Sequence, residues 1–309
     1  MIWAERDSPQ PRDFDATGPP PTGLKDVASA LATVNDVMQS SMQASGVREA
    51  QIAIGKGGNI LLLRGYTWSE PGRHVIQPSD KFQLASLTKM FTSAAIQSLI
   101  DSGKLSLSSR PWLDFRSTYP WNAMRTSRNV RYLLIQIGHL LDMQGGWDRT
   151  VSGDLEFGMI DMSNKLGLTG PLTMAQFIAF LMPNVSLDFN PGSRSVYSNV
   201  GYMALTQVVE TVTGMAYIDY LKSAVLGPLG LQDLVDVVGT DASLHVNDPV
   251  TQQTFYTGPN VETPGDPDNL VALVFGGDGA YKETAIGAGN LACSASTLVK
   301  FMNSHGKQT

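Results

Sequence analysis

The stretch Phe82–Leu105, FQLASLTKMFTSAAIQSLIDSGKL, sets Ser86 and Lys89 three residues apart at the head of an apolar run. Met90, Phe91, Ala94, Ile96 and Leu99 line an apolar helix face, and Gly103 stands where a helix would stop. Residues three apart on a helix share one face, with Cβ atoms roughly 5–6 Å apart. A serine hydroxyl becomes a nucleophile when a neighbouring base takes its proton. A lysine can be that base only in its neutral form, which burial and a helix N-terminus favour. The strand-like Lys81–Leu84 leads into the pair, and the apolar face behind it supplies the burial. Spacing alone does not separate this chemistry from two polar residues that open a helix, because Ser304 and Lys307 repeat it.

A second constellation adds context. FNPGSRSVYSNVGYMAL (Phe189–Leu205) holds Tyr197-Ser198-Asn199, the only Tyr-x-Asn in the chain, in a turn that leads into a helix. A tyrosine near a lysine can shuttle protons, and an asparagine two residues on can hydrogen-bond both the lysine and a substrate carbonyl. The plainer reading is a turn tyrosine packed on its helix, with Asn199 as an N-cap. Together with Ser86 and Lys89, the functional reading is the better one.

Outward from these motifs, Leu24, Val27, Leu31, Val34 and Met38 have helical spacing, with Gly46 as a stop. Gln51–Ile54 and Asn59–Trp68 flank Gly55-Lys56-Gly57-Gly58 and read as a β-hairpin; the Walker spacing of a phosphate loop is absent. Thr173 and Gln176 form a capping box, with Pro183 ending that helix. Val200, Leu205, Val208, Val209 and Val212 make another stripe, stopped by Gly214. Val238–Tyr281, rich in Gly, Pro, Asp and Thr, reads as long loops. The expected fold is therefore α/β (α+β), an antiparallel sheet with flanking helices built from both chain ends and interrupted by a helical insert. Residues 1–22 read as a disordered Pro-rich lead-in, 23–115 with 285–309 as the α/β domain, and 116–284 as the insert.

Composition narrows the function. At 309 residues, 42% hydrophobic and 16% charged, the chain can bury a substantial core. The net charge of −6, with both signs interspersed, argues against nucleic-acid binding. No apolar stretch is long enough to span a bilayer. Cys293 is the single cysteine, and His74, His139, His245 and His305 share no metal-ligand spacing, so neither metal nor other cofactor is expected. The N-terminus lacks the apolar core of a secretory signal, which leans the compartment toward the cytoplasm. Oligomeric state is not legible.

With both motifs in hand, the chain resembles the serine β-lactamase-like superfamily, on the branch of class C β-lactamases, DD-peptidases and related esterases. Ser-x-x-Lys is a superfamily motif, and Tyr-x-Asn points to the class C and esterase side. GKLSLSSRP (Gly103–Pro111), GHLLDMQGGWDR (Gly138–Arg149), PGSRSVYSNVGYMALTQVVETVTGMAYIDYLKSAVLGPLGL (Pro191–Leu231) and GAGNLACSASTLVKFM (Gly287–Met302) are similar to the family's pattern. By that resemblance Ser86 is acylated, Lys89 and Tyr197 share the proton transfers, and Asn199 positions the substrate. The Ser86 N–H forms half of an oxyanion hole, and water hydrolyses the acyl-enzyme or an alcohol or amine takes the acyl group.

Two departures qualify the resemblance. The third motif, Lys-Thr/Ser-Gly or His-x-Gly on a strand, is not found; Ser304–Thr309 has the wrong order, and Gly277-Asp278-Gly279 and Gly287-Ala288-Gly289 read as loop geometry. That strand supplies the second oxyanion donor, whose loss costs about 10²–10³ in turnover. A truncated product is the expectation. Met143 stands where many relatives have a second histidine; it and His139 read as structural, and Trp147 as a packing residue. The expected function is a serine hydrolase acting through an acyl-enzyme, a carboxylesterase on small or medium acyl esters. A β-lactamase or DD-peptidase is the alternative enzyme, and a catalytically impaired ligand- or partner-binding protein the alternative of another class.

Overall fold

The computed structural model describes residues 13–23, 26–69, 72–114, 130–241 and 256–305. They fall into two compact units, one of residues up to 82 and from 293 onward, the other of residues 83–241 and 256–292.

The smaller unit is built on a three-stranded antiparallel sheet of order β1–β3–β2, from β1 Phe14–Thr17, β2 Glu49–Lys56 and β3 Asn59–Trp68. Strands β2 and β3 form the expected hairpin: Lys56 pairs with Asn59, and the turn residues Gly57 and Gly58 have φ of 59° and 84°. Two consecutive positive φ values match the right-handed twist of the strands, and glycine adopts them without strain. Helix α1, Val27–Ser45, starts where the Asp26 side chain accepts from Ser29 N–H and stops at Gly46, which is left-handed. Leu24, the first residue of the predicted stripe, lies outside the described residues.

Met42, Tyr66 and Trp68 are buried together, with Phe14, Ala16, Met38, Ala50 and Ile52 packed against them. Phe14 stacks on Tyr66 with ring centroids 5.5 Å apart. This corrects the reading of residues 1–22 as a disordered lead-in: residues 1–12 lie outside the described residues, but Phe14–Thr17 is a strand paired along β3 from Trp68 to Gly65. Phe14 and Ala16 sit two apart and face the core, a pattern too short to outweigh the surrounding prolines in the sequence.

A late helix, Ala295–His305, packs on β2, so early and late segments of the chain form one unit. The contact is close enough that a Cβ at Gly55 would come within 2.6 Å of Val299 Cγ1. Ala295 N–H also donates to Gln51 Oε1 at 3.0 Å. Of the repeated Ser-x-x-Lys spacing, the Ser304 hydroxyl donates to its own helix at Phe301 O, 2.7 Å, and Lys307 lies outside the described residues.

The larger unit begins at Gln83, in β4 Phe82–Gln83, which with β5 Val235–Val237 and β8 Leu291–Cys293 makes a short sheet of order β4–β8–β5. Around it lie α2 Thr88–Asp101, α3 Ile137–Leu141, α4 Met159–Lys165, α5 Met174–Asn184, α6 Asn199–Thr213 and α7 Ile286–Gly289. The predicted signals operate locally. Thr173 and Gln176 exchange capping hydrogen bonds, and left-handed Gly214 ends α6. Gly103, at φ 71°, donates its N–H to Ile100 O. Pro183 sits in the last turn of α5 rather than beyond it.

Helix α2 belongs to this unit, not to the unit with β1–β3 as the 23–115 boundary supposed. Its apolar face, with Phe91, Ala95, Ile96 and Leu99 buried, packs against α6 and Leu221–Leu226. Apolar faces choose partners by shape, which composition does not encode. The stretch read as loops from Val238 contains a small antiparallel pair, β6 Thr257–Pro259 and β7 Leu270–Ala272; residues 242–255 lie outside the described residues.

Candidate active site

Ser86 lies in a tight turn, Ala85–Leu87, immediately before α2, and its side of the turn is exposed. Ala85 has φ 46°, a left-handed conformation that costs a residue with a Cβ on the order of 1–2 kcal/mol. Strain of this kind persists where the surroundings over-determine the backbone. Here the flanking segments do so: Leu84 N–H donates to Leu291 O at 2.8 Å, and Leu291 N–H donates to Thr88 Oγ1 at 3.2 Å.

Lys89, one turn on, is 6% exposed. Its Nζ donates to Ser86 Oγ at 3.3 Å, Asn199 Oδ1 at 2.7 Å and the Ala288 carbonyl at 2.6 Å. All three acceptors are uncharged oxygens. The Tyr197 hydroxyl hydrogen-bonds Ser86 Oγ and also lies 3.2 Å from Asn199 Oδ1, donating to it. Lys89 Nζ stands 5.0 Å from the Tyr197 ring centroid. The four residues singled out in the sequence thus meet at one point, although Tyr197 is 111 positions from Ser86. A hydroxyl, a buried amine and a phenol in mutual contact are the parts of a proton relay to and from a serine nucleophile.

The Tyr197 loop is held by a segment the sequence marked only as structural. Val196 N–H donates to Met143 O at 2.9 Å, Ser198 N–H to Met143 Sδ at 3.5 Å, and Gly192 N–H to Gln144 O at 2.9 Å. The Ser195 hydroxyl donates to Asp142 O at 2.7 Å, and Arg194 pairs with Asp148 at 3.0 Å. Met143 itself has φ 59°, in the left-handed region like Ala85. Trp147 packs edge-on against Trp112 and Tyr132, with centroids 6.2 and 5.9 Å away, as a packing residue would. Asn199 is not an N-cap: its Oδ1 faces Lys89 and its Nδ2 donates to Asp154 Oδ2 at 3.0 Å.

Ser86 opens on a cavity of about 190 Å³ lined in part by Glu156, Phe157, Asn199, Asp278, Lys282 and Ala288. Several of these were missed in the sequence. Glu156 is 6% exposed, and burial pushes its carboxyl up to about 7, aided by the Asp154 charge and opposed by Lys282 and Lys89. Lys282 Nζ donates to Asp278 at 2.5 Å. A larger hollow of about 710 Å³ is lined in part by Asp154 and Leu155 and not by Ser86.

The glycine segments read as loop geometry also contribute. Gly287-Ala288-Gly289 belongs to α7, and it is the backbone of Ala288 that reaches Lys89. A backbone carbonyl leaves no residue-type signal. Glu156, a lone charge between Leu155 and Phe157, was the one visible hint of a buried acid. Among the described residues, no group of three or more His, Cys, Asp or Glu is arranged to hold a metal ion. No described helix is long and apolar enough to cross a membrane.

This arrangement, a serine and lysine heading a buried helix with a tyrosine closing over them from a distant loop, goes with a β-lactamase/transpeptidase-type fold. The chain belongs to the β-lactamase family, whose pattern matches residues 34–309. Among curated relatives it is 24% identical to the protein flp of Staphylococcus aureus over 200 residues, 63% of this chain and 36% of that protein. It is 26% identical to a penicillin-binding protein of Bacillus subtilis over 213 residues, 66% of this chain and 40% of the relative. The chain thus spans well under half the length of these curated relatives. Among solved structures, the octameric penicillin-binding protein homologue from Pyrococcus abyssi superimposes with a TM-score of 0.59 at 22% identity, covering 89% of this chain and 56% of that one.

Proposed function

We propose that the protein is a serine hydrolase that works through an acyl-enzyme at Ser86, with esters of small or medium acyl groups as substrates. The observation that carries this reading is the burial of Lys89 Nζ among Ser86 Oγ, Asn199 Oδ1 and the Ala288 carbonyl, with the Tyr197 hydroxyl on Ser86. Ser86 Oγ attacks the substrate carbonyl carbon while its proton passes to Lys89 or Tyr197. The bond to the leaving oxygen breaks, and that oxygen takes the proton back. Water then attacks the acyl-serine by the same proton route in reverse, regenerating Ser86 and releasing the acid. Asn199 accepts from Lys89 and lines the cavity that would take the substrate. The cavity of about 190 Å³ beside Ser86 suits a small acyl group rather than a long chain.

Family membership supports a second reading, cleavage of a β-lactam or peptide amide by the same steps. A fluorophosphonate and a series of p-nitrophenyl esters test the first. Covalent mass gain at Ser86, lost in Ser86→Ala, with turnover of short esters, is the expected result; folded protein that takes no adduct overturns it in favour of a binding protein. Turnover of a chromogenic cephalosporin above that of the esters would move the assignment to the amide reading.

A further inference from the structure

Arg149 closes the Gly138–Arg149 segment, and the relay at Ser86 makes no direct use of it. Its backbone is firmly placed. Asp148 O accepts from the N–H groups of Val151 and Ser152, both at 2.9 Å, and Asp148 Oδ1 accepts from the Thr150 N–H at 3.0 Å and the Thr150 hydroxyl at 2.6 Å. The same carboxylate pairs with Arg194. One buried acid thus anchors both the turn that carries Arg149 and the loop that carries Tyr197.

The Arg149 side chain, by contrast, is 51% exposed. Its Cζ lies 5.4 Å from the Tyr197 ring centroid and its Nη1 3.9 Å from Asp154 Oδ2. Its N–H groups donate no hydrogen bond among the described residues. An ion pair that long and that exposed adds little to stability. A guanidinium at that distance from a ring is within cation–π range. The Asp154 oxygen is also the one that accepts from Asn199 Nδ2, and Asn199 Oδ1 in turn accepts from the Tyr197 hydroxyl. The contacts run in a closed circuit, from the Tyr197 ring through Arg149, Asp154 and Asn199 back to the Tyr197 hydroxyl. Lys89 reaches the ring from the buried interior, and Arg149 reaches it from the half-exposed rim. Tyr197 is itself 36% exposed, so the rim is where its ring is free to swing off Ser86.

We propose that Arg149 is a positioning residue: its guanidinium holds the Tyr197 ring from the rim, keeps the phenol hydroxyl on Ser86 Oγ, and carries little of the stability of the fold. The consequence for rate rests on Ser86 as nucleophile; the hold on the ring does not.

Arg149→Ala is compared with wild type by turnover of a p-nitrophenyl ester, by urea unfolding and by crystal structure. Its kcat is expected to fall about tenfold with KM within about twofold, because a displaced catalytic group loses rate rather than affinity. The urea midpoint is expected to stay where it is. In the variant's crystal structure the Tyr197 hydroxyl leaves Ser86 Oγ or occupies two positions. Arg149→Lys is expected within about threefold of wild type, since an ammonium also serves this ring, whereas uncharged Arg149→Met is as slow as Arg149→Ala. A raised KM at unchanged kcat would make Arg149 a substrate contact, and a lowered urea midpoint would make it a structural residue. Either result overturns the proposal, as does Arg149→Ala or Arg149→Met turning over as fast as wild type. If wild type hydrolyses no ester, the acyl-enzyme reading is at fault and the crystal structure decides the present one. A Tyr197 hydroxyl still fixed on Ser86 Oγ in Arg149→Ala overturns it.

Discussion

Asp154 determines which atom of the Asn199 amide faces Lys89. The Asn199 Nδ2 donates to Asp154 Oδ2 at 3.0 Å, and that leaves Oδ1 as the atom 2.7 Å from Lys89 Nζ. A carboxylate cannot accept from the amide oxygen and an ammonium cannot donate to the amide nitrogen, so the two neighbours enforce the same orientation from opposite sides.

Replacing Asp154 by Ala removes one of the two constraints and leaves a buried amide N–H₂ without its acceptor. A lost partner of this kind costs about 1–3 kcal/mol. Hydrolysis of a p-nitrophenyl ester by Asp154→Ala is expected to fall by roughly tenfold or more in kcat/KM. Activity equal to wild type in a folded variant would show that the amide needs no such support.

Lys89→Arg keeps the positive charge and loses the ability to give up a proton, because the guanidinium stays protonated. If Lys89 takes the Ser86 proton, this variant is as inactive as Lys89→Ala, with kcat down by about 10²–10⁴. Single-turnover measurement on a chromogenic ester checks it, and an arginine variant within tenfold of wild type refutes a proton-accepting lysine.

Met143 clamps the backbone on both sides of Tyr197 from a left-handed conformation, φ 59°. A β-branched residue resists that conformation, so Met143→Val is expected to lose roughly 1–3 kcal/mol in urea unfolding. Met143→Gly accepts the φ but drops the sulfur contact to Ser198 N–H. It should keep stability within about 1 kcal/mol and still turn over more slowly, because a misplaced catalytic group loses rate before it loses fold. Equal stability of the Val and Gly variants would remove backbone strain from the account.

Glu156 makes stability depend on pH in a stated direction. Its carboxyl is raised from 4.5 to about 7, chiefly by burial, so the folded protein holds a proton there that the unfolded chain has released. The stabilisation is therefore complete below about pH 4.5 and disappears as pH rises through 7. Denaturant unfolding of wild type minus Glu156→Gln should decline by roughly 3 kcal/mol between those limits. A difference that stays flat, or grows with pH, contradicts a carboxyl raised by burial.

Much of this was legible early. The β2–β3 hairpin could be read because Gly57 and Gly58 alone tolerate the φ values its turn demands. Helices α5 and α6 could be read because caps at Thr173 and Gly214 act within a few residues of themselves. Strand β1 was missed because its two inward residues, Phe14 and Ala16, gain their meaning only from Tyr66 and Trp68, some fifty positions away in sequence. Helix α2 was assigned to the wrong unit because which apolar face it meets is a matter of fit.

The chain's own residue types determined that a serine, a lysine, a tyrosine and an asparagine stand at spacings suited to acyl transfer, since helix period and turn chemistry are local properties. Only the tertiary structure decided that the Ala288 carbonyl and Asp154 lie at the site, and that Glu156 is buried there with no hydrogen bond among the described residues. A backbone carbonyl is common to every residue, and the energy of a carboxylate depends on how much water and which charges surround it, which is known only once distant segments have packed.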